Sequence, residues 1–228
     1  MRRLLPVPVD DIDPAVAYAD ESRRPHADGR PWFIVNMVAS LDGATAVTGR
    51  SAGLSGPADR EVFHALRALA GVVVVGAGTA RAEGYRPPRT AGQSIALVTK
   101  AMRFDGLDAL LASGRALAIT VEDSPAGPAG IDVIRAGRGE VDLHGALVML
   151  RDRTGADVAL CEGGPHLNGA AFAAGVVDEL CLTISPLVVA GAANRVVAAQ
   201  EPLDPPVGFT LTQVCESEGS LLLRYCRA

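Results

Sequence analysis

Two glycine-bearing turns carry the clearest chemical signal of the chain, because each follows a run of β-forming residues and precedes a helix-like segment. The first turn is Gly76–Thr79 after the run 72–75, and the second is Glu162–Gly169 after the run 158–161. A strand that ends in a glycine turn at the start of a helix presents unpaired backbone N–H groups and the positive end of the helix dipole, which together hold phosphate. Two such turns predict a ligand with two phosphate-bearing regions, such as a dinucleotide.

Polar side chains lie at the ends of several predicted strands. Glu162 follows a predicted parallel strand, where open α/β sheets bind ligands, and a glutamate at a buried strand end needs a partner. Thr99 and Lys100, the chain's only lysine, end another strand at the same edge. They can hold a 2′-phosphate, although a solvated surface lysine fits equally well. Asn36 within the first strand and Asp42 just after it are further polar groups near this edge, and Asn36 contacts either substrate or neighbouring backbone.

Arginines and potential metal ligands complete the candidate residues. Arg60, Arg67 and Arg89 can supply bidentate phosphate contacts, although each also fits an ordinary surface position. The four cysteines and four histidines show no metal-ligand spacing, so the sequence predicts no metal site. Cys161 and Cys181 lie in apolar runs, where cysteine is usually a buried hydrophobe.

Composition and charge narrow the class of protein. The chain has 228 residues, of which 49% are hydrophobic, enough for a substantial core. Its formal net charge of −5 argues against non-specific nucleic-acid binding. No apolar run approaches the roughly 20 residues that span a bilayer, and prolines and aspartates interrupt any signal-peptide core near the start. We therefore expect a cytoplasmic protein without a membrane or nucleic-acid partner.

Strand-like and helix-like segments alternate from residue 32 onward. The predicted strands are 32–38, 72–76, 94–98, 116–120, 131–135, 157–161 and 178–185, and the predicted helices begin at Pro57 and span about 79–83, 141–153 and 165–175. A loop-rich stretch follows 94–98. Two further runs, 209–216 and 220–226, are joined by a hairpin signal. This order predicts an α/β fold with a mostly parallel sheet flanked by helices and an antiparallel C-terminal hairpin at its edge. Residues 1–30 are predicted to form an extended arm and 31–228 a single domain.

The assembled motifs resemble one family. They are Asn36–Gly43 (NMVASLDG), Gly49–Ser51, Ala65–Arg67, Gly76–Thr79, Cys161–Pro165 and Asp178–Leu180. In this order they are similar to the reductase domain of the riboflavin-pathway bifunctional deaminase-reductases and their stand-alone pyrimidine-reductase relatives. The resemblance runs from about residue 31 to the C-terminus and implies a dihydrofolate-reductase-like fold, NADPH as cofactor and a homodimer. It also implies hydride transfer to C1′ of a phosphoribosylamino-pyrimidine, as in a 5-amino-6-(5-phosphoribosylamino)uracil reductase.

The resemblance implies roles for individual residues. Substrate contacts fall to Ser51, Arg67 and Glu162, with Arg89 near the phosphate, and Asn36 is a further candidate. Glu162 and Asp42 are the candidate catalytic residues, with the loop of Asp42 covering the nicotinamide. The resemblance implies cofactor contacts by Val38, Thr79, Glu83, Thr99 and the run Gly164–Ala170, which includes Pro165, His166, Leu167 and Asn168. The turn glycines Gly76, Gly78 and Gly163 and the side chain of Lys100 complete the predicted cofactor site.

Two departures from the family pattern leave the substrate open. Ala44 stands where a lysine is frequent, and Gly53 stands where a tryptophan is common. A reductase of dihydrofolate or another pterin is an alternative, because fold alone does not decide function. For that role the first helix offers Asp59 and Glu61, neither at a position that the sequence equates with pterin binding. A non-catalytic NADP-binding module is the third alternative.

Overall fold

Ten strands and six α-helices are present in residues 1–227, the part of the chain that the computed structural model describes. The strands are β1 (Arg2–Leu5), β2 (Trp32–Ala39), β3 (Val72–Gly76), β4 (Ser94–Val98), β5 (Ala116–Thr120), β6 (Asp132–Arg135), β7 (Val158–Cys161), β8 (Glu179–Ile184), β9 (Phe209–Ser217) and β10 (Ser220–Arg227). The helices are α1 (Pro14–Tyr18), α2 (Pro57–Leu69), α3 (Ala77–Glu83), α4 (Asp108–Ala112), α5 (Leu143–Thr154) and α6 (Pro165–Ala173). The strands predicted from residue 32 onward are all present, whereas α4 lies in a stretch predicted to be loop.

All ten strands form one sheet in the order β1-β9-β10-β8-β2-β7-β3-β4-β5-β6. The seven strands β2 to β8 pair in parallel, and β10, β9 and β1 continue the sheet in antiparallel pairs. The mostly parallel sheet with a C-terminal hairpin is therefore confirmed. The position of the hairpin differs in one respect, because β1 pairs with β9 and takes the edge that the sequence assigned to the hairpin.

Helices cover both faces of the sheet, and successive side chains of the buried strands point alternately toward one face and the other. Val72 and Val74 of β3 point into a core that contains residues of α5 and α6. Val73 and Val75 point to the opposite face, where α3 and α4 pack. On that same face, residues of α1 and α2 cover Ile34 of β2. Successive side chains of a strand point to opposite faces, so a continuous valine run indicates a strand covered twice.

Residues 1–30 pack against the sheet and contain β1 and α1, which differs from the extended arm predicted for them. Arg23 donates Nε and Nη2 hydrogen bonds of 2.9 and 2.8 Å to Glu179 at the start of β8. Arg224 of β10 contacts the same fully buried carboxylate. Arg30 forms a similar fork with Asp178, with distances of 2.7 and 2.8 Å. The segment shows no regular apolar period because buried ion pairs attach it to the fold together with a few apolar side chains, such as Ile12 and Tyr18.

The carboxyl ends of β2, β3, β4, β7 and β8 lie along one edge of the sheet, as parallel pairing requires. In open α/β sheets this edge is where ligands bind. Among residues 1–227, no helix has the length and apolar character that crossing a bilayer demands.

Candidate functional site

Two adjoining cavities lie at the carboxyl edge of the parallel strands. Cavity I, of about 450 Å³, lies between the end of β7, the start of α2 and the 45–55 loop. Cavity II, of about 670 Å³, lies over the ends of β3 and β4 and the start of α6. The two cavities share Gly78, Thr79, Gly164, Pro165 and Asn194. The shared wall consists of the two glycine turns, so a single elongated ligand can extend from one cavity into the other.

Glu162 forms the most strongly bonded group of cavity I. Arg67 of α2 donates from Nε and Nη2 to its two carboxylate oxygens at 2.6 and 2.7 Å, and the Tyr85 hydroxyl donates to Oε2. The Arg67 guanidinium carbon also lies 4.4 Å from the centre of the Phe63 ring. Glu162 is 8% exposed, so this fork supplies the partner that a buried strand-end carboxylate requires. Tyr85, which follows α3, gave no sequence signal because it is an isolated aromatic residue in a loop.

Burial and the Glu162 charge shift the pKa values of the two partners. Burial raises the pKa of Tyr85 well above its usual value, and the nearby Glu162 charge raises it further. Burial lowers the pKa of Arg67, but its hydrogen bonds and charge contact with Glu162 more than offset that effect, so the net pKa is raised. Tyr85 is therefore a protonated donor and Arg67 a permanent cation throughout the neutral pH range.

The glycine turns form a close-fitting wall between the cavities. A Cβ on Gly164 would lie 2.5 Å from Thr79 Oγ1, and one on Gly163, whose φ is +84°, would lie 3.2 Å from Met37 Sδ. Gly76 N–H donates to the Gly163 carbonyl at 2.7 Å, which joins the two turns. A Cβ on Gly78, by contrast, would meet its nearest atom only at 3.9 Å, so this glycine leaves room for a ligand.

The start of α6 presents backbone donors to cavity II. Gly164 is the N-cap and offers no side-chain cap, and Pro165 occupies the first turn. The N–H groups of His166 and Leu167 therefore have no intrahelical acceptor, and both residues line cavity II. Such N–H groups at the positive end of a helix favour an anion.

Thr99 and Lys100 line cavity II at the end of β4, as the sequence predicts. Lys100 Nζ lies 2.6 Å from Glu140 Oε1, and both side chains are more than half exposed. A phosphate bound by Lys100 must therefore compete with the Glu140 carboxylate.

Several predicted residues line cavity I, whereas the predicted residues Asp42, Arg67, Arg89, Gly163 and Asn168 line neither cavity. Asn36, Val38, Ser51 and Glu83 line cavity I. Arg60, a candidate phosphate ligand, and Asp59, considered for a pterin, also line it, as does the unpredicted Tyr85. Glu83 accepts the Ser51 N–H at 2.8 Å and so fixes the 3-10 turn Ser51–Gly53. Arg89 is exposed and lines neither cavity, whereas Arg60 does line cavity I. A side chain at Gly53 would lie 2.9 Å from Val47 Cβ, so Val47 occupies the adjoining space.

Asp42 and Asn168 hold a segment that crosses the site, the 186–198 strap. Asp42 accepts backbone N–H groups of Val189 and Ala190 at 3.1 and 2.7 Å. The Ser40 hydroxyl and, to a lesser extent, these two N–H groups lower the pKa of Asp42 to about 2. Asn168 is fully buried and donates to the Val196 carbonyl at 2.8 Å. Both residues thus position the strap, which brings Asn194 between the two cavities. The structure places neither side chain in the cavities where the sequence expected a catalytic or cofactor contact.

The two acidic residues at the start of α2, Asp59 and Glu61, differ in burial and in their position relative to cavity I. Asp59 is 8% exposed and lines cavity I, and the Ser55 hydroxyl donates to its Oδ2. Glu61 is exposed and lines neither cavity. The sequence could not distinguish them because an acid in the first turn of a helix also serves the helix dipole.

Known proteins share both sequence and fold with this chain. A 2,5-diamino-6-ribosylamino-4(3H)-pyrimidinone 5′-phosphate reductase from Methanothermobacter thermautotrophicus is 29% identical over 188 residues, covering 77% of this chain and 87% of the relative. A pyrimidine reductase-like protein from Corynebacterium diphtheriae superposes with a TM-score of 0.77 at 22% identity, over 95% and 98% of the two chains. Dihydrofolate reductase from Enterococcus faecalis, complexed with NADP(H), superposes with a TM-score of 0.53 at 15% identity, over 86% and 95% of the two chains.

The dihydrofolate-reductase-like fold expected from the motifs is confirmed by these superpositions. The match to the family model described as the RibD C-terminal domain spans residues 31–223, which includes every motif on which the resemblance depended. The chain belongs to the RibD C-terminal domain family.

Proposed function

We propose that the protein is an NADPH-dependent oxidoreductase that reduces a phosphoribosylamino-pyrimidine in riboflavin biosynthesis. The observation that carries this proposal is the pair of cavities joined at the two glycine turns. One cavity offers backbone donors and a lysine for a dinucleotide, and the other offers buried polar side chains for a substrate ring and its sugar phosphate. The Methanothermobacter relative, named for reduction of such a nucleotide, supports the same assignment.

The residues around cavity II fit a nicotinamide dinucleotide phosphate. The N–H groups of His166 and Leu167 suit the pyrophosphate, and Gly78 leaves space for close approach of the backbone. Thr99 and Lys100 suit a 2′-phosphate, which distinguishes NADPH from NADH. When bound, NADPH supplies the hydride that reaches C1′ of the sugar.

The chain's own contribution is positioning and exclusion of water. Glu162 is held rigid by the Arg67 fork and the Tyr85 hydroxyl, so the remaining lone pair on Oε1 can fix one donor of the substrate. The raised pKa makes the Tyr85 phenol a weak acid, and its hydroxyl proton is already donated to Glu162, so we assign Tyr85 a positioning role. Arg60, which lines cavity I, is better placed than Arg89 to bind the substrate phosphate.

The test is oxidation of NADPH by the purified protein with three substrates in parallel. They are 5-amino-6-(5-phosphoribosylamino)uracil, its 2-amino counterpart and dihydrofolate. Turnover of either pyrimidine nucleotide at a rate well above that with dihydrofolate supports the proposal. Turnover of dihydrofolate alone would replace it with pterin reduction, and tight NADPH binding without turnover would favour a non-catalytic module.

Pterin reduction is the second candidate because of Asp59. This carboxylate lines cavity I from the first turn of α2, and a pterin presents N–H donors that a buried carboxylate can accept. The phosphoribosylamino-pyrimidine remains preferred because Arg60 lines the same cavity and suits a phosphate.

We further propose that the protein is a homodimer formed through the sheet face of β8, β10 and β9. Leu5, Val214, Leu223 and Leu182 are aligned across four strands by the strand register. Leu5 is 37% exposed, the other three are partly exposed in the single chain, and Leu221 in the next row is 39% exposed. An apolar sheet face of this kind suits a second copy. Leu223→Glu is expected to give a monomer in sedimentation, and an unchanged dimer would place the interface elsewhere.

The free state of all four cysteines supports a cytoplasmic location, where thiols stay reduced.

A further inference from the structure

Asp59 is a buried carboxylate of cavity I with one oxygen uncommitted. Its side chain belongs to the third residue of α2, and Oδ2 accepts the Ser55 hydroxyl. Within residues 1–227, no protein donor lies at hydrogen-bond distance from Oδ1. The helix dipole favours the charge at this position, but a buried carboxylate still needs further donors. A ligand in cavity I can supply them.

The other two carboxylates of cavity I are less suited to accept two donors from one ring edge. Glu162 is bonded to Arg67 and Tyr85 through both oxygens. Glu83 accepts the backbone N–H of Ser51 through Oε1 alone, but it is more exposed than Asp59, so water can supply donors to its other oxygen. Asp59 is thus the carboxylate of this cavity best able to recognise a new ligand.

We propose that Asp59 binds the edge of the pyrimidine that carries N3–H and the 2-amino group, so the substrate still bears its 2-amino group when it is reduced. This inference rests on the proposed function. Two carboxylate oxygens are both acceptors, which matches the two donors of a 2-aminopyrimidin-4-one. A uracil ring presents N3–H beside a carbonyl oxygen, so one carboxylate oxygen would face another acceptor. Asp59 is therefore a specificity-determining residue, and this reductase acts before a deaminase that removes the amino group.

The decisive variant is Asp59→Asn, because a carboxamide offers one acceptor and one donor. That pair matches the N3–H and carbonyl of uracil and mismatches the 2-amino ring. The Ser55 hydroxyl can accept from the amide as readily as it donates to the carboxylate, so the local contact is retained. Wild-type protein is expected to favour the 2-amino nucleotide over the uracil nucleotide by about 10- to 100-fold in kcat/KM, the effect of one unpaired buried polar group. In Asp59→Asn this ratio is expected to fall by at least about tenfold.

Glu61→Gln is the matched control, since it removes the same charge from an exposed position of the same helix. It is expected to keep the wild-type ratio, and NADPH affinity is expected to be the same in all three proteins. The wild-type ratio tests the inference even if Asp59→Asn fails to fold. Equal rates or a preference for uracil in the wild type, or an unchanged ratio in Asp59→Asn, would overturn it and leave the proposed function intact. Failure to reduce either nucleotide would overturn both.

Discussion

Replacing Glu162 by glutamine tests how the buried fork of cavity I supports substrate binding. In the native protein the two short Arg67 bonds and the Tyr85 hydroxyl occupy both carboxylate oxygens. Glutamine keeps one acceptor for Arg67 Nε but turns an amide donor toward Arg67 Nη2. Arg67, whose side chain is 23% exposed, then loses the counter-ion of its guanidinium charge.

The structure sets the size of the expected loss. Removing one partner of a buried ion pair costs about 3–5 kcal/mol, and the hydrogen bond that glutamine retains returns about 1 kcal/mol. We therefore expect a loss of about 2–4 kcal/mol in unfolding free energy, which corresponds to a decrease in Tm of about 5–15 °C in a chain of this size. Tyr85→Phe removes a single hydrogen bond to a charged group and is expected to cost about 1.5–3 kcal/mol.

The assay combines thermal unfolding, NADPH titration and steady-state kinetics. Glu162 lines cavity I alone, so Glu162→Gln is expected to bind NADPH within about threefold of the wild type while kcat/KM falls by at least about tenfold. Glu61→Gln controls for the change in net charge. Wild-type kcat/KM together with an unchanged Tm would refute the role of the fork. Loss of NADPH binding would show that the two cavities do not divide the ligands as proposed.

Further predictions concern the cofactor, the strap and acid stability. Lys100→Ala is expected to weaken the binding of NADPH about tenfold with little effect on the binding of NADH. Glu140→Gln, which frees Lys100, is expected to tighten NADPH binding in the same titration. Equal effects on both cofactors would remove Lys100 from the 2′-phosphate site. A Cβ on Gly169 would clash with the Ala198 carbonyl oxygen of the strap, so Gly169→Ala is expected to lower the free energy of unfolding by about 1–3 kcal/mol. Gly208→Ala serves as the control, because a Cβ there meets no atom within 4 Å. Equal unfolding midpoints of the two variants would contradict the clash. Burial raises the pKa of Glu179, but Arg23 and Arg224 more than offset this effect, so the net pKa in the folded protein is lowered. The stabilisation of the fold by ionised Glu179 is therefore complete above the pKa of the unfolded chain, about 4.3, and is lost as the pH falls toward the lower pKa of the folded state. Glu179→Gln is expected to flatten acid unfolding curves below about pH 4, and curves of wild-type slope would contradict this.

The sequence predicted those parts of the fold that depend on local pattern. The valine run of β3 and the glycine turns are local signals, since buried strands and close-fitting turns restrict residue type directly. Thr99 and Glu162 were predicted at strand ends, and parallel pairing then brings those ends to one edge.

The contacts that depend on distant residues could not be predicted in this way. Tyr85 reaches Glu162 across 77 positions of sequence, and no periodicity marks it. Asp42 has a carboxylate in a turn, which gives no indication whether it faces a ligand or caps the 186–198 strap. Residues 1–30 lack a regular amphipathic pattern because single arginines anchor them to Glu179 and Asp178 beside only a few buried apolar side chains.

The pairing of β1 with β9 has a consequence for how the chain folds during synthesis. Arg2 lies opposite Glu216, so β1 cannot join the sheet until β9, about two hundred residues later in the chain, has been made. The interior strand β2 likewise pairs with β7 and β8, which emerge more than a hundred residues later. Pairings of such high contact order fold slowly and leave strand edges exposed to aggregation. Strand β1 is thus expected to remain unpaired until the hairpin of β9 and β10 has left the ribosome.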